Sequence, residues 1–187
     1  NMTTAYPWIM GALSGQAEWG LTNYIRSLGL EPEDGGMFVC HSQSGKGEAR
    51  LQVPKLNLGG FNAPTLTFLL YRYQNAAGKL SVKVTADDKA YTEVYSANTA
   101  SFLPGWTVCK VNLAQYKDYP WIAIVFDGAV SNGSDYVIID NMAVANESEF
   151  DAKLESIKGV RRPVVGESEN YTVVVKNNGK QSITYDV

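Results

Sequence analysis

Apolar and polar residues alternate in short stretches over residues 1–146 of the 187-residue chain. Residues 80–87, LSVKVTAD, are apolar at nearly every second position, which is typical of a strand with one buried face. Residues 65–74 and 121–128 are largely apolar on both faces, which indicates fully buried strands. Turn residues separate about nine such stretches, with no long helical repeat among them. The pattern predicts an all-β fold of two packed antiparallel sheets, a sandwich or jelly roll.

The alternation also assigns a direction to side chains within single strands. The inward-facing positions are Leu80, Val82 and Val84 in one strand, and Cys109, Val111 and Leu113 in another. Trp106 points away from the side of its strand that carries Cys109, because successive side chains in a strand point to opposite faces.

The strand pattern is weaker in two parts of the chain. Residues 1–35 mix glycine, serine and polar residues with single apolar ones, and we expect an irregular lead-in that Trp8 and Trp19 anchor to the core. Residues 44–48, SGKGE, predict a turn between a strand over residues 36–42 and another that starts at residue 49.

One ionisable residue, Asp140, lies in the middle of the apolar stretch YVIIDNMAV, residues 136–144. A carboxylate buried in a strand is costly unless a cation or several N–H groups pair with it. In one interpretation Asp140 ligates a hard cation such as Ca²⁺, and Glu18, Asn141 or backbone carbonyls complete the oxygen ligands. In the other it accepts backbone N–H bonds, which we favour because the sequence shows only one clear ligand.

Aromatic residues supply a second candidate site. Tyr71 and Tyr73 share one face of their strand, and Trp106 points away from the inward face of its own. Exposed aromatic rings bind sugars by stacking against the C–H groups of the sugar ring. We therefore predict a glycan-binding surface of Tyr71, Tyr73 and Trp106, with Arg72 or Lys110 nearby if the face is shared. The alternative is that these rings are ordinary sandwich core.

Composition argues against several classes of function. The net charge is −3 with no basic block, which argues against a nucleic-acid surface. No apolar run is long enough to span a bilayer. Cys40 and Cys109 each lie inside an apolar stretch, so we expect two buried thiols in preference to one disulfide.

Residues suited to catalysis are sparse. Glu31, Glu33 and Asp34 cluster in sequence, but a solvated turn is a simpler interpretation than a pair of catalytic carboxylates. The strand stretches carry carboxylates only singly, His41 is the only histidine, and no G-x-S-x-G motif occurs. We therefore expect no enzymatic activity.

The pattern changes after residue 146. Residues 147–158, ESEFDAKLESIK, are charged and polar and predict a linker that contains a short helix. Residues 159–187 contain a tight-turn signal, NNG, between two alternating stretches. We interpret them as the incomplete start of a second β-sandwich module, and expect the parent chain to continue, because so few residues cannot bury a core alone.

The order of the stretches resembles a known family. In chain order they are GMFVCHS, ARLQVPKLNLGG, APTLTFLLYRY, LSVKVTADDKAYTEVY, GWTVCKVNLAQYKDYPWIAIVF and YVIIDNMAV. This order, over residues 8–145, resembles the MAM-like and cleaved-adhesin jelly-roll domains of surface and secreted proteins from Bacteroides and its relatives. The tail, with its VVVKNNG, resembles the start of an immunoglobulin-like module.

The resemblance implies an extracellular or cell-surface module for adhesion or glycan binding, often with a structural calcium ion. In the adhesin branch, an acidic D-x-D-G-D loop before a tryptophan supplies part of the calcium site. The matching residues 13–18, before Trp19, retain only Glu18, whereas Asp140 matches the family's late-strand aspartate. Half of the family's ligand set is therefore missing from this sequence.

Three functions are consistent with these features. The first is a noncatalytic extracellular binding module of a larger surface or secreted protein, with a glycan or a surface protein as ligand and the other domains of the parent chain as neighbours. The second is a structural spacer beside a functional domain. The third, a sandwich-fold glycoside hydrolase, is disfavoured by the missing carboxylate pair. An exposed aromatic patch or groove favours binding over a spacer.

Overall fold

The computed structural model describes residues 8–23, 25, 29–30, 36–73, 77–147, 152–159, 170–177 and 184. The chain divides into two compact units, residues 1–146 and 147–187. Among the described residues there is no helix with the length and hydropathy of a membrane span.

Eight strands make up the described part of the first unit, joined by turns and two short 3₁₀ helices. The strands are β1 (Ile9–Thr22), β2 (Met37–Gln52), β3 (Pro64–Arg72), β4 (Lys79–Thr85), β5 (Thr92–Asn98), β6 (Gly105–Asn112), β7 (Ala123–Val130) and β8 (Val137–Asn146). The 3₁₀ helices are Thr99–Ser101 and Ala114–Tyr116. All strand pairs are antiparallel, and the all-β prediction is confirmed.

The eight strands form one continuous hydrogen-bonded sheet, and the β1–β2 hairpin connects its two halves, which we call the first and second sheets. Residues 47–52 of β2 pair with β7, and β4 and β5 follow in the first sheet. Residues 38–40 of β2 pair with β8, and β3 and β6 follow in the second sheet. Strand β1 pairs along the other edge of β2 over nearly its whole length, so it borders both sheets.

Two glycines allow this hairpin to bend. The β1–β2 register shifts between Gly15 and Ala17, one of two irregularities in the pairing. Gly15 has a φ of 62°, and a side chain there would overlap the backbone of Lys46. A Cβ on Gly47 would lie only 2.6 Å from the amide nitrogen of Ala17. Because only glycine fits these close approaches, the strand bends here without ending.

The hairpin corrects two expectations from the sequence. Residues 1–35 are predicted to be irregular, yet residues 9–22 form β1. Residues 44–48 are predicted to be a turn, yet they continue β2. Glycines and register shifts hide the two-residue period in both segments, and each strand forms because the other satisfies its backbone hydrogen bonds.

The inward-facing side chains of the two sheets form one large core. All the positions that the alternation assigns inward belong to it: Leu80, Val82, Val84, Cys109, Val111 and Leu113. Phe68 is fully buried and meets Phe126 and Tyr95 edge to face, at ring-centroid distances of 5.5 and 5.7 Å. This arrangement suits the quadrupoles of the aromatic rings.

Both tryptophans predicted to be anchors contact core residues, although Trp8 stays 39% exposed. Trp19 is buried and donates its Nε1–H to the carbonyl oxygen of Ala49 at 2.9 Å. Trp8 stacks on Phe38 with ring centroids 4.9 Å apart. Because Trp8 adjoins the end of β1 that lies in the first sheet and Phe38 belongs to the second, this stack ties the two sheets together.

Cys40 and Cys109 are buried free thiols, as expected. Burial raises the pKa of the Cys40 thiol to about 12. Burial also raises the pKa of Cys109, although a hydrogen bond with the Tyr95 hydroxyl, 3.3 Å from Sγ, offsets part of that effect.

The described part of the second unit is an antiparallel pair, β9 (Ala152–Lys158) and β10 (Thr172–Asn177). Residues 152–158 are therefore a strand and not the linker helix that the sequence predicts. Pairing with β10 overrides the local preference of this charged segment. The NNG turn and most of residues 159–187, expected to begin an immunoglobulin-like module, lie outside the described residues.

Candidate functional site

The outer face of the second sheet brings Tyr71 and Trp106 together. Tyr71 on β3 and Trp106 on β6 are direct partners in the strand register. Their rings meet edge to face, with centroids 4.8 Å apart and planes at 61°. Both side chains are half-buried and lie on the side of the sheet opposite the main core.

A small apolar cluster supports this aromatic pair. Its buried members are Leu30, Met37, Val39 and Ile138, and the partly buried residues packed against it are Ile25, Tyr71, Trp106 and Tyr136. A backbone bridge between Ile25 and Leu30 lies over this part of the sheet. The two rings therefore rest on an apolar base while part of each stays exposed.

The other residues expected near this face are placed differently. Tyr73 lies one residue beyond the end of β3, is half-buried, and makes no ring contact with the other described aromatic residues. Val108, 59% exposed, and Lys110 share the outer face of β6 with Trp106. Arg72 instead donates a hydrogen bond to the Phe102 carbonyl, in the segment before β6. Two of the three predicted rings, those of Tyr71 and Trp106, are therefore in contact. The glycan-binding role of all three stays a prediction.

Asp140 is buried, as predicted, with 3% of its surface exposed. Its Oδ1 accepts a hydrogen bond from the backbone N–H of Asn141 at 2.8 Å. Asn141 has a φ of 49° and lies at a bulge where β8 has one residue more than β3. This geometry agrees with the interpretation in which Asp140 supports the backbone.

The structure does not bring Glu18 close to Asp140. Glu18 is exposed and pairs in register with His41 of β2. Extending the β2–β8 register by one pair places Asp140 opposite Met37. Met37 lies about 13 Å along β2 from His41, the residue that Glu18 faces. Within the described residues, no three His, Cys, Asp or Glu side chains converge on a metal-sized site. Calcium binding stays a prediction that would rest on Asp140, Asn141 and backbone oxygens.

The outer face of the first sheet carries a cleft that the sequence analysis does not predict. The cleft has a volume of about 500 Å³, and β2, β4, β5 and β7 all contribute to its lining. Arg50 donates to both oxygens of Asp127, through Nε at 2.7 Å and a terminal nitrogen at 2.8 Å. Lys83 Nζ donates to the same carboxylate at 2.8 Å. Three strands thus meet in one ion-pair cluster.

Hydrogen bonding keeps the acid of this cluster ionised. Burial alone would raise the pKa of Asp127, but the hydrogen bonds from Arg50 and Lys83 outweigh burial and hold that pKa below its ordinary value. The hydrogen bond to Asp127 in turn raises the pKa of Arg50. Asp127 and Arg50 are therefore both charged at neutral pH.

The turn between β4 and β5 folds over the same outer face. Asp88, with a φ of 58°, accepts a hydrogen bond from Lys55 at 2.6 Å. The guanidinium of Arg50 lies 4.1 Å from the centre of the Tyr91 ring, and Lys55 Nζ lies 3.5 Å from that of Trp121. The Tyr91 ring therefore lies beside Arg50, which lines the cleft, whereas Trp121 lies beside Lys55, which does not line it.

Sequence reasoning missed this cluster because its members are far apart in the chain. Arg50 is 77 residues from Asp127, and Lys83 is 44 residues from it. Alternation indicates which way each side chain points, but it does not give the strand order that places β2, β7 and β4 side by side. The available signal was a lone carboxylate in the apolar stretch 121–128, the same kind of signal that identified Asp140.

The remaining residues weighed for catalysis do not form a reactive site in the described structure. Glu31, Glu33 and Asp34 lie outside the described residues. His41 is half-buried, and its ring centroid is 6.4 Å from that of Tyr136. Its neighbour Cys40 belongs to the main core, so the thiol and the imidazole point to opposite faces of β2.

Comparisons with known proteins concern the fold. The sequence matches no protein-family model, and no curated protein matches it significantly. The chain is similar in structure to the carbohydrate-binding module TmCBM61, solved with β-1,4-galactotriose, with a TM-score of 0.52 and 15% identity over 75% of this chain and 89% of that one. It is also similar to the K1 cleaved adhesin domain of Lys-gingipain from Porphyromonas gingivalis W83, with a TM-score of 0.56 and 14% identity. That match covers 74% of this chain and 90% of the adhesin domain.

A third similar structure is the enzymatically active domain of tailspike protein 4 from bacteriophage CBA120. Its TM-score is 0.51 at 10% identity, over 78% of this chain but 20% of that one. At such identities these likenesses show the fold alone, a β-sandwich of the kind found in carbohydrate-binding modules and a cleaved adhesin domain. The cleaved-adhesin resemblance is thus supported at the level of the fold, and the MAM-like and immunoglobulin-like parts of it stay predictions.

Proposed function

We propose that the first unit is a noncatalytic carbohydrate-binding module that contacts its ligand through an aromatic patch of Tyr71, Tyr73 and Trp106. The observation that carries this proposal is the Tyr71–Trp106 pair, whose rings meet 4.8 Å apart on the outer face of the second sheet. Sugar rings present C–H groups that stack on such surfaces. The edge-to-face contact restrains both rings before the ligand arrives, which lowers the entropy lost on binding.

The state of the cleft carboxylate supports a noncatalytic role. A glycoside hydrolase needs one carboxylic acid whose pKa is raised, so that it holds a proton to donate. The pKa of Asp127 is lowered instead, because Arg50 and Lys83 bind both of its oxygens. Glu93, also in the cleft, accepts a hydrogen bond from Ser81 at 2.5 Å.

The similar structures support the choice of ligand and location. TmCBM61 was solved with a galactotriose, which favours a sugar over a protein as the ligand of this chain. The similarity to a cleaved adhesin domain favours an extracellular or cell-surface location. The exposed part of the aromatic patch favours a binding module over a structural spacer, because a spacer has no need of such a surface.

A glycan array tests this function with a variant that lacks the aromatic patch and a control that lacks one exposed ring elsewhere. The triple variant Tyr71→Ala/Tyr73→Ala/Trp106→Ala should bind at least tenfold more weakly than the wild type, a loss of about 1.4 kcal/mol. The control is Tyr119→Ala, which removes a 47% exposed ring outside the patch and should leave binding unchanged.

Thermal unfolding of each variant confirms that it is folded before binding is compared. Unchanged binding by a folded triple variant would rule out the patch. Failure of the wild-type protein to bind any glycan on the array would rule out the proposed function itself.

A further inference from the structure

The cleft of the first sheet has no part in the function proposed above. Its charged lining is balanced, with three basic and three acidic residues: Arg50, Lys79, Lys83, Glu48, Glu93 and Asp127. Its volume of about 500 Å³ falls within the roughly 300–1,000 Å³ that is usual for small-molecule sites. Such a concave surface with six charged side chains differs from the apolar base of the aromatic patch on the second sheet.

We propose that this cleft is a second ligand site, which holds a neutral polyhydroxylated chain such as an oligosaccharide by hydrogen bonds. A sugar hydroxyl both donates and accepts hydrogen bonds. The cleft offers donors from Arg50 and Lys83 and acceptors from Glu48 and Glu93. A ligand that presents both kinds of group along its length therefore matches this lining.

Asp127 organises the donors of the cleft in advance. It binds Arg50 through two hydrogen bonds and Lys83 through one, so the two long side chains are fixed before a ligand arrives. Only 21% of the Arg50 side chain and 28% of the Lys83 side chain are exposed. Fixing flexible side chains beforehand reduces the entropy that binding costs.

The charge balance favours a neutral chain over a polyanion. Asp127 offsets one of the two cations that it binds, and Glu48 and Glu93 would repel an acidic sugar placed in the same cleft. With the three basic and three acidic groups together, the lining carries no formal net charge. Long-range attraction of a charged ligand is therefore weak.

The position of the cleft within the sheet favours a sugar over an extended peptide. Peptides commonly bind sheets by adding a strand to an open edge, where backbone groups are unpaired. In the cleft, β4 lies between β5 and β7, and β7 lies between β4 and β2. The backbone groups of these two central strands already pair within the sheet, so β4 and β7 offer a ligand only their side chains. Strand β5 also lines the cleft and is an edge strand, so the trialanine peptide in the test below checks for binding along that edge.

The test uses the full chain with Tyr71→Ala/Trp106→Ala as background, so that the aromatic patch cannot contribute. The probes are β-1,4-galactotriose, cellotriose, mannotriose and xylotriose, with trigalacturonate as an acidic sugar and a trialanine peptide, each titrated by amide NMR shifts. We expect at least one neutral sugar to bind and to shift resonances of cleft residues. Adding Lys83→Met or Ala129→Trp should weaken that binding at least tenfold.

The two added changes act differently on the cleft. Lys83→Met removes a donor and keeps the aliphatic chain, while Ala129→Trp fills space at a lining position. The matched control is Lys117→Met, at an exposed position outside the cleft, which should leave binding unchanged. The spectrum of each variant reports whether it is folded.

Each other result overturns the proposal for the cleft. In the first such result, the background variant binds no neutral sugar. In the second, both folded cleft variants still bind the sugar as tightly as the background variant does. In the third, only trigalacturonate or the peptide binds. Failure of the aromatic patch is seen separately, when Tyr71→Ala/Trp106→Ala binds glycans as tightly as the wild-type protein. The two sites therefore fail independently.

Discussion

Asp127 and Asp140 are both buried carboxylates, yet they are held in different ways. Asp127 is bound by two cationic side chains from other strands. Asp140 accepts a hydrogen bond from the backbone of the next residue, at a bulge in its own strand. The first arrangement joins β2, β4 and β7, so we expect changes at Asp127 to affect the stability of the whole first sheet.

Replacing Asp127 with Asn should destabilise the protein in a pH-dependent way. The change leaves Arg50 and Lys83 without their shared anion, and we expect a loss of about 1–3 kcal/mol of unfolding free energy near neutral pH. The folded-state pKa of Asp127 is lowered below its ordinary value of about 3.9. Its contribution is therefore complete above about pH 5 and is lost as the pH falls through the folded-state pKa.

Urea unfolding of wild type and Asp127→Asn at about pH 7, 5 and 3 measures this difference. The difference in unfolding free energy between the two proteins should be the same at the two higher pH values and smaller at the lowest pH. Asp118→Asn, an exposed position, is the control and should change stability by less than about 0.5 kcal/mol. A gap that widens in acid would contradict the assignment of the stabilising charge to Asp127.

The β1–β2 hairpin is the element on which both sheets depend. Gly47→Ala should destabilise the protein by about 1–3 kcal/mol, because the new Cβ would meet backbone atoms that cannot move aside. Urea unfolding gives the magnitude, and circular dichroism reports whether strand content is kept. Gly60→Ala is the matched control, since a Cβ there meets nothing within 4 Å. Equal stability of the two variants would show that the hairpin bend tolerates a side chain.

The sequence predicted the central strands well and this hairpin poorly, for a physical reason. Strands such as β4 and β6 bury much of one face, so their alternation is visible and their inward residues are confirmed. Strand β1 is exposed at most positions, and its core contacts are concentrated in Ala17 and Trp19. A strand with so few buried positions leaves little periodic signal.

The candidate sites were predictable to different degrees. Tyr71 was identified because it shares a face of its strand with Tyr73, and Trp106 because alternation turns it away from the inward face of its strand. The strand register then makes Tyr71 and Trp106 partners. The two rings meet because β3 lies beside β6, and a local sequence pattern does not predict which strands are neighbours. Arg50, Lys83 and Asp127 depended on strand order in the same way and, being charged residues in outward positions, resembled an ordinary solvated face.

At the scale of the first unit, the two sheets differ in how their strands are held. Strand β2 has β1 along one edge and β7 and β8 along the other. Among the described strands, β6 pairs only with β3 and forms the edge of the second sheet. Edge strands open with less free energy than central ones, because fewer hydrogen bonds and contacts must break.

The two buried thiols report this difference directly, since Cys40 lies in β2 and Cys109 in β6. A thiol reagent should modify Cys109 in the native protein at least tenfold faster than Cys40, because β6 opens locally. Cys40 should react only through global unfolding, so its rate should rise with urea as steeply as the equilibrium unfolding constant does. Mass spectrometry of proteolytic peptides gives both rates in one sample.

Both thiols should react rapidly and equally once the protein is unfolded in concentrated urea, which controls for intrinsic reactivity. Burial raises the pKa of both in the folded state, so direct attack on the closed protein is suppressed and the measured rates follow opening. If Cys40 reacted as fast as Cys109 at low urea, and its rate rose only weakly with urea, β2 would open locally. The hairpin could then not be the stable element that holds the two sheets together.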